Sequence, residues 1–208
     1  MHQHPKYHEA SPETINAFLR HRSFGTLFLT GPDGPLAMQA PFVMNDDNTA
    51  VEMHIFRGNP IAQALTSPQP ALLSVIGPDG YISPDWYGPG DFVSTWNYVA
   101  VQLKGRLELR PSDELRAVLE TQTEIYEARL PKAPWSMDKL PAKKRDAMMR
   151  VIHPMRLVIE TVEPTFKLGQ EKAEAARLGA ANALETGFGQ ELADLAAMMR
   201  AGGPEISD

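Results

Sequence analysis

Residues 24–56 alternate between short apolar runs and tight-turn words: FGTLFLT (24–30), GPDG (31–34), LAMQAPFVM (36–44), NDDN (45–48) and AVEMHIF (50–56). Connections this short cannot carry a crossover between parallel strands, which takes a dozen residues or more. Sequential strands must therefore return antiparallel, and the turn chemistry of Pro, Asp and Gly suits hairpins. PALLSVIG (70–77) is predicted as a further strand, and the second GPDG (77–80) as a further hairpin turn. TWNYVAVQLKGRLELR (95–110) is long enough for one bent strand or two, with Gly105 at the bend or bulge. MRLVIETVEPTFKLG (155–169) alternates as a strand, with Pro164 marking an edge or a bend.

Helices surround this pattern. Ser11 and Pro12 start one that runs to Arg22. Asn59 and Pro60 start a short one in GNPIAQAL (58–65). Residues 111–130 form a third, capped by Ser112 or Asp113, with Leu115, Val118, Leu119, Gln122 and Ile125 or Tyr126 on one face. Further helices are predicted over 142–152, 171–183 and 189–200. The order is mainly β with α, and short strands on tight turns favour an antiparallel barrel over a parallel sheet.

The length, 208 residues with 43% apolar content, suits one core-bearing domain over 1–169, with 170–208 a helical extension packed on it. Cysteine is absent, which excludes disulfides, thiolate metal sites and cysteine nucleophiles. Of the histidines, His2, His4 and His8 cluster near the start while His21, His54 and His153 are isolated, and no HExxH occurs. No apolar run reaches the ~18 residues of a membrane span, and the opening MHQHPKYHEA has no apolar middle; a cytoplasmic protein is expected. The net charge of -6 argues against broad contact with DNA. The last two helices have the lengths of a helix-turn-helix, but the second carries Glu191 and Asp194 against Arg200 alone, so a packing hairpin is expected.

Two words carry chemistry. In HIFRGNP (54–60) a strand end, Arg57 and a helix start follow one another, the arrangement of an anion cradle or of an ordinary cap. In STWNY (94–98) alternation puts Thr95 and Asn97 on one face and Trp96 and Tyr98 on the other. The stretch from Tyr81 to Tyr98 holds two of the chain's three Trp and three of its five Tyr. Trp86, on a Gly- and Pro-rich loop, is expected to cover something, because a wet indole is costly.

YISPDWY, VSTWNY followed by VQLKGRLEL, HIFRGNP and FKLGQ occur in an order that resembles the PaiB family, described as FMN-binding negative transcriptional regulators. The resemblance runs from about Pro5 to about Leu178. It implies an antiparallel split β-barrel of the flavin-reductase and pyridoxamine-phosphate-oxidase type with peripheral helices. It also implies a homodimer with FMN in clefts lined by both chains. Carried over, Arg57 and Asn59 become phosphate-side residues with His54 nearby. Thr95, Trp96 and Asn97 lie on a flavin-facing strand, Ser83 and Trp86 on the loop over the cleft, and Lys167 and Gln170 near the last strand. The chain departs from the family words at Gln39, Phe56, Ser94, Gly169 and Glu171. A regulatory flavin protein, a flavin-dependent oxidoreductase using NAD(P)H, and a barrel that has lost flavin or binds haem through a histidine such as His54 are the functions left open.

Overall fold

The structure, a computed structural model, describes residues 4–203. His2 and the last five residues of the AGGPEISD tail lie outside the described residues. Helix α1 spans Pro12–Arg22 and the strands follow as β1 (Phe24–Gly31), β2 (Gly34–Pro41), β3 (Val43–Met44) and β4 (Ala50–Phe56). Next come α2 (Pro60–Ala64), β5 (Gln69–Ile82), β6 (Thr95–Leu109), α3 (Leu115–Glu127), α4 (Ala142–Met149) and β7 (Ile152–Lys167). The chain closes with α5 (Glu174–Leu184), β8 (Gly189–Gln190) and α6 (Leu192–Ala201). Hydrogen bonds order the strands β2–β1–β5–β6–β7–β4–β3, with β8 on β5. β1 pairs antiparallel with β2 and β5, and β4 with β3 and β7.

The residues group into two compact units. The first joins the N-terminal 22 residues, Val75–Gln102 and the chain from Glu163 onward. Its core contains Phe18, Val99, Phe166, Leu184 and Leu195, all at most 2% exposed. Phe18 and Phe166 meet edge to face at 5.9 Å between ring centres. α5 and α6 pack together through Ala180, Ala181 and Leu184 on one side and Leu195 and Met199 on the other, the packing hairpin read from the sequence. The second unit joins Ser23–Ser74 and Leu103–Val162 around Leu27, Phe42, Met53, Ile55, Leu73, Leu107 and Leu157.

The first GPDG is the expected hairpin turn: Gly31 faces Gly34, and Gly34 takes φ +131°. The second is not a turn. It lies inside continuous β5, where Asp79 and Gly80 pair with Gln190 and Gly189 of β8. Its glycines serve packing: a Cβ on Gly77 would come within 2.7 Å of the Phe18 ring, and one on Gly80 within 2.8 Å of Leu184. The run 36–44 breaks at Phe42, whose N–H bonds instead to Ser23 O and whose ring is fully buried. Neither Ser112 nor Asp113 caps α3. A 3-10 turn, Ser112–Glu114, leads in, and the Ser112 hydroxyl lies 3.5 Å from the Arg57 guanidinium. Ser11 and Asn59 do cap, accepting from Thr14 N at 3.2 Å and Ile61 N at 2.9 Å.

β6 is one strand of fifteen residues, and at Gly105 the backbone of β7 lies close against it. A Cβ there would sit 1.8 Å from Val158 O. Gly105→Ala is expected to lower the unfolding free energy by about 3 kcal/mol, because rigid backbone must move. Gly203→Ala, with nothing within 4 Å of its Cβ, is expected to change it by less than ~0.5 kcal/mol. Urea unfolding of the two variants checks the difference.

Candidate functional site

In the first unit the start of β6 sorts its side chains by alternation. Asn97 is 1% exposed and its Nδ2 donates to Met199 Sδ at 3.4 Å. Thr95 shares that face, and its hydroxyl accepts from Lys167 Nζ at 2.5 Å. Trp96 points the other way and is 43% exposed. It meets Tyr81 and Phe188 edge on at 6.3 and 5.5 Å, while Tyr81 and Phe188 stack at 5.2 Å. The structure thus brings Thr95, Asn97 and Lys167 into one set and puts Trp96 in an open aromatic cluster.

Gln170 is committed to the backbone. Its Oε1 accepts from Leu168 N at 2.8 Å and its Nε2 donates to Phe166 O and Lys6 O. It fixes the turn after β7, where Gly169 takes φ +79° and would put a Cβ 3.6 Å from Asn97 Nδ2. Ser83 leads into the 3-10 turn Pro84–Tyr87 without a side-chain cap. Trp86, on that turn, lies against the end of α5: a Cβ on Gly187 would come within 2.9 Å of its ring, and one on Gly179 within 2.7 Å of its carbonyl oxygen. The indole that was expected to cover something covers that helix.

Lys167 is only 8% exposed. Burial holds its amine below the usual lysine range, opposed by Glu171 nearby and aided by the Lys172 charge. Sequence reasoning missed its surroundings. Tyr7, buried, has its phenol pushed above the usual tyrosine range by burial and by Glu171 beside it. Lys172 stands over the Tyr87 and Phe92 rings at 5.7 and 5.6 Å. No local motif links Tyr7 to Glu171, which are far apart in the chain; only the meeting of the N-terminal segment with the end of β7 joins them.

In the second unit His54, Arg57 and Asn59 follow one another from β4 into α2. Arg57 Nε donates to Arg150 O and its Nη1 to His153 Nε2, both at 2.7 Å. Burial first, and then the Arg57 charge, hold His153 below the usual histidine range, which keeps it an acceptor. Asn59 spends its side-chain oxygen on the α2 cap, and α2 has only five residues. His54 Nδ1 lies 2.9 Å from Gln122 Oε1, and Gln122 Nε2 donates to Glu52 O. That second bond sets the amide, so Nδ1 carries a proton and donates to Gln122 Oε1. His54 borders an apolar cavity of about 380 Å³ shared with Trp135, Leu119 and Met149. Among the described residues no group of three or more His, Asp or Glu could hold a metal ion, and no helix is long and apolar enough to cross a membrane.

Residues 1–161 match the family described as "Putative FMN-binding domain". The protease synthase and sporulation protein PAI 2 of Bacillus subtilis is 32% identical over 173 residues, covering 82% of this chain and 83% of that protein. The chain belongs to the PaiB family of FMN-binding domains. The solved FAD and haem binding protein of Mycobacterium smegmatis superposes with TM-score 0.58 at 19% identity, over 86% of this chain and 80% of that one. The flavocytochrome Anf3 of Azotobacter vinelandii does so with TM-score 0.55 at 19% identity, over 75% and 67%. At this identity the likeness shows the fold, the antiparallel split barrel with peripheral helices that the PaiB words implied.

A cation held this deep opposes folding. The penalty on Lys167 is fully present below its folded pKa and vanishes once pH passes the ordinary lysine value. Lys167→Met is therefore expected to unfold at higher urea concentration than the parent at pH 7, with the gap closing as pH rises through the lysine range. An unchanged midpoint at pH 7 contradicts this.

Proposed function

We propose that the chain binds FMN as a regulatory or sensor protein. The observation that carries the reading is Lys167: a nearly buried cation whose one hydrogen-bond partner among the described residues is Thr95, close to Gly169 and Asn97. Such a group is kept against stability, which is the mark of a binding residue. An amine donor, the hydroxyl of Thr95 and the amide of Asn97 fit the polar edge of a flavin or its anionic chain. Glu171, whose Oε2 is buried without a hydrogen-bond partner, pairs Lys172 at 3.6 Å, which offsets its charge there. The aromatic face of Trp96 with Tyr81 suits a planar ring. Arg57 and Asn59 are the phosphate-side residues under the family resemblance, with Ser83, Trp86, His54 and Gln170 supporting their respective segments. A bound flavin supplies reversible one- or two-electron transfer; the residues named here bind and orient it.

The relatives' printed names support the reading: the Bacillus subtilis relative is called a protease synthase and sporulation protein, and two structural neighbours are called flavin or flavocytochrome proteins. Direct DNA contact is not part of it. In α6, Arg200 is bound to Glu185 at 2.6 Å and to Asn182 at 3.1 Å, so its charge is already paired. Regulation would run through a flavin-dependent partner in the cytoplasm.

The reading also includes a homodimer. On β1, Phe24 and Phe28 are 53% and 37% exposed. Their cross-strand partners are Pro41 and Ala37 on β2, with Leu72 of β5 opposite Phe28. That open apolar face suits a second copy of the chain.

Two experiments test this. Arg57→Ala is expected to weaken FMN more than about tenfold while leaving riboflavin little changed, because a charge-assisted phosphate contact is worth ~1.5–3 kcal/mol. Lys167→Met is expected to weaken both flavins; unchanged affinities in fluorescence titrations remove these residues from the site. Light scattering is expected to give two chains for the parent and one for the double variant Phe24→Asp, Phe28→Asp; a monomeric parent contradicts the dimer.

A further inference from the structure

The cavity of the second unit has apolar walls and one guanidinium among its lining residues. Leu119 of α3, Trp135 and Met137 of the connector, and Met148 and Met149 of α4 make it apolar. Its volume, about 380 Å³, is in the range of small-molecule sites. Methionines give walls that adapt to a guest, and the Trp135 ring offers a flat surface. Three observations bear on the guest's polar end. Arg145 lines the cavity, and its Nε is buried without a hydrogen-bond partner. Its guanidinium is ion-paired with Asp138 and Asp146 only at the long distances of 3.5 and 3.6 Å. The wall segment 137–150 carries five basic residues against two acidic ones, a net +3 in a chain whose total is -6.

We infer that this cavity binds a small amphipathic monocarboxylate, an aryl or acyl acid, with its apolar body against Trp135 and the methionines and its carboxylate on Arg145. Apolar walls alone would take any hydrocarbon of the right size. Arg145, whose ion pairs are long and whose Nε lacks a hydrogen bond, selects the anion. His54 is tied through Nδ1 to Gln122. The inference does not rest on FMN binding.

The test uses the full chain with ¹³C-methyl methionine labels, titrated by NMR with 2-naphthoate and, separately, with 2-naphthol. The methyl signals of Met137, Met148 and Met149 are expected to shift and saturate with naphthoate. Arg145→Gln is expected to weaken naphthoate at least about tenfold and naphthol less than about threefold. Thr123→Trp, which fills the cavity from α3, is expected to abolish both while the circular dichroism spectrum stays that of the parent. No methyl shift at millimolar naphthoate, or equal loss of acid and alcohol in Arg145→Gln, overturns the proposal. So does displacement of naphthoate by FMN, which would make the cavity part of the flavin site, or by haemin with a Soret shift, which would make it a haem site.

Discussion

The strand Thr95–Leu109 buries every second side chain along nearly its whole length. Asn97, Val99, Val101, Leu103 and Leu107 are at most 1% exposed, and at Gly105 the neighbouring backbone replaces a side chain altogether. A slip of one residue would turn all of these outward and bring Lys104 and Arg106 in. The register of β6 is therefore fixed by the core, and the positions of Thr95, Trp96 and Asn97 are fixed with it. A site placed at the start of such a strand inherits rigidity that a loop does not provide.

The polar groups around that start are held at a cost to folding. Among the described residues Asn97 has sulfur as its hydrogen-bond partner, Lys167 has a single hydroxyl, and one oxygen of Glu171 is buried without any. An apolar core would be more stable with hydrocarbon at these places. Arg57 and Gln170 are different in kind. Their side chains are satisfied by the protein's own backbone and by His153, so they hold segments in place.

Much of this was legible in the sequence because it is local or periodic. The first GPDG turn, the caps at Ser11 and Asn59 and the two faces of Thr95–Tyr98 follow from turn chemistry and alternation. The second GPDG misled because the same letters serve two ends: a glycine opens a turn when the chain needs positive φ, and clears space when a ring or a leucine arrives from elsewhere. Phe18 and Leu184, which decide the matter at Gly77 and Gly80, lie far away in sequence. The same limit hid Tyr7 beside Glu171, Gln122 behind His54 and the cavity under Trp135. Each joins segments that share no motif. Family words supplied Lys167 and Gln170 as a pair, yet only packing shows that one is a strained cation and the other a backbone clamp.

The most direct measurement is a fluorescence titration of FMN with the purified parent protein. Quenching of the flavin with a micromolar or tighter dissociation constant, and weaker binding of riboflavin, is the result this account predicts. Undiminished flavin fluorescence at micromolar FMN would contradict it, leaving the split barrel without its flavin and Lys167 without a purpose.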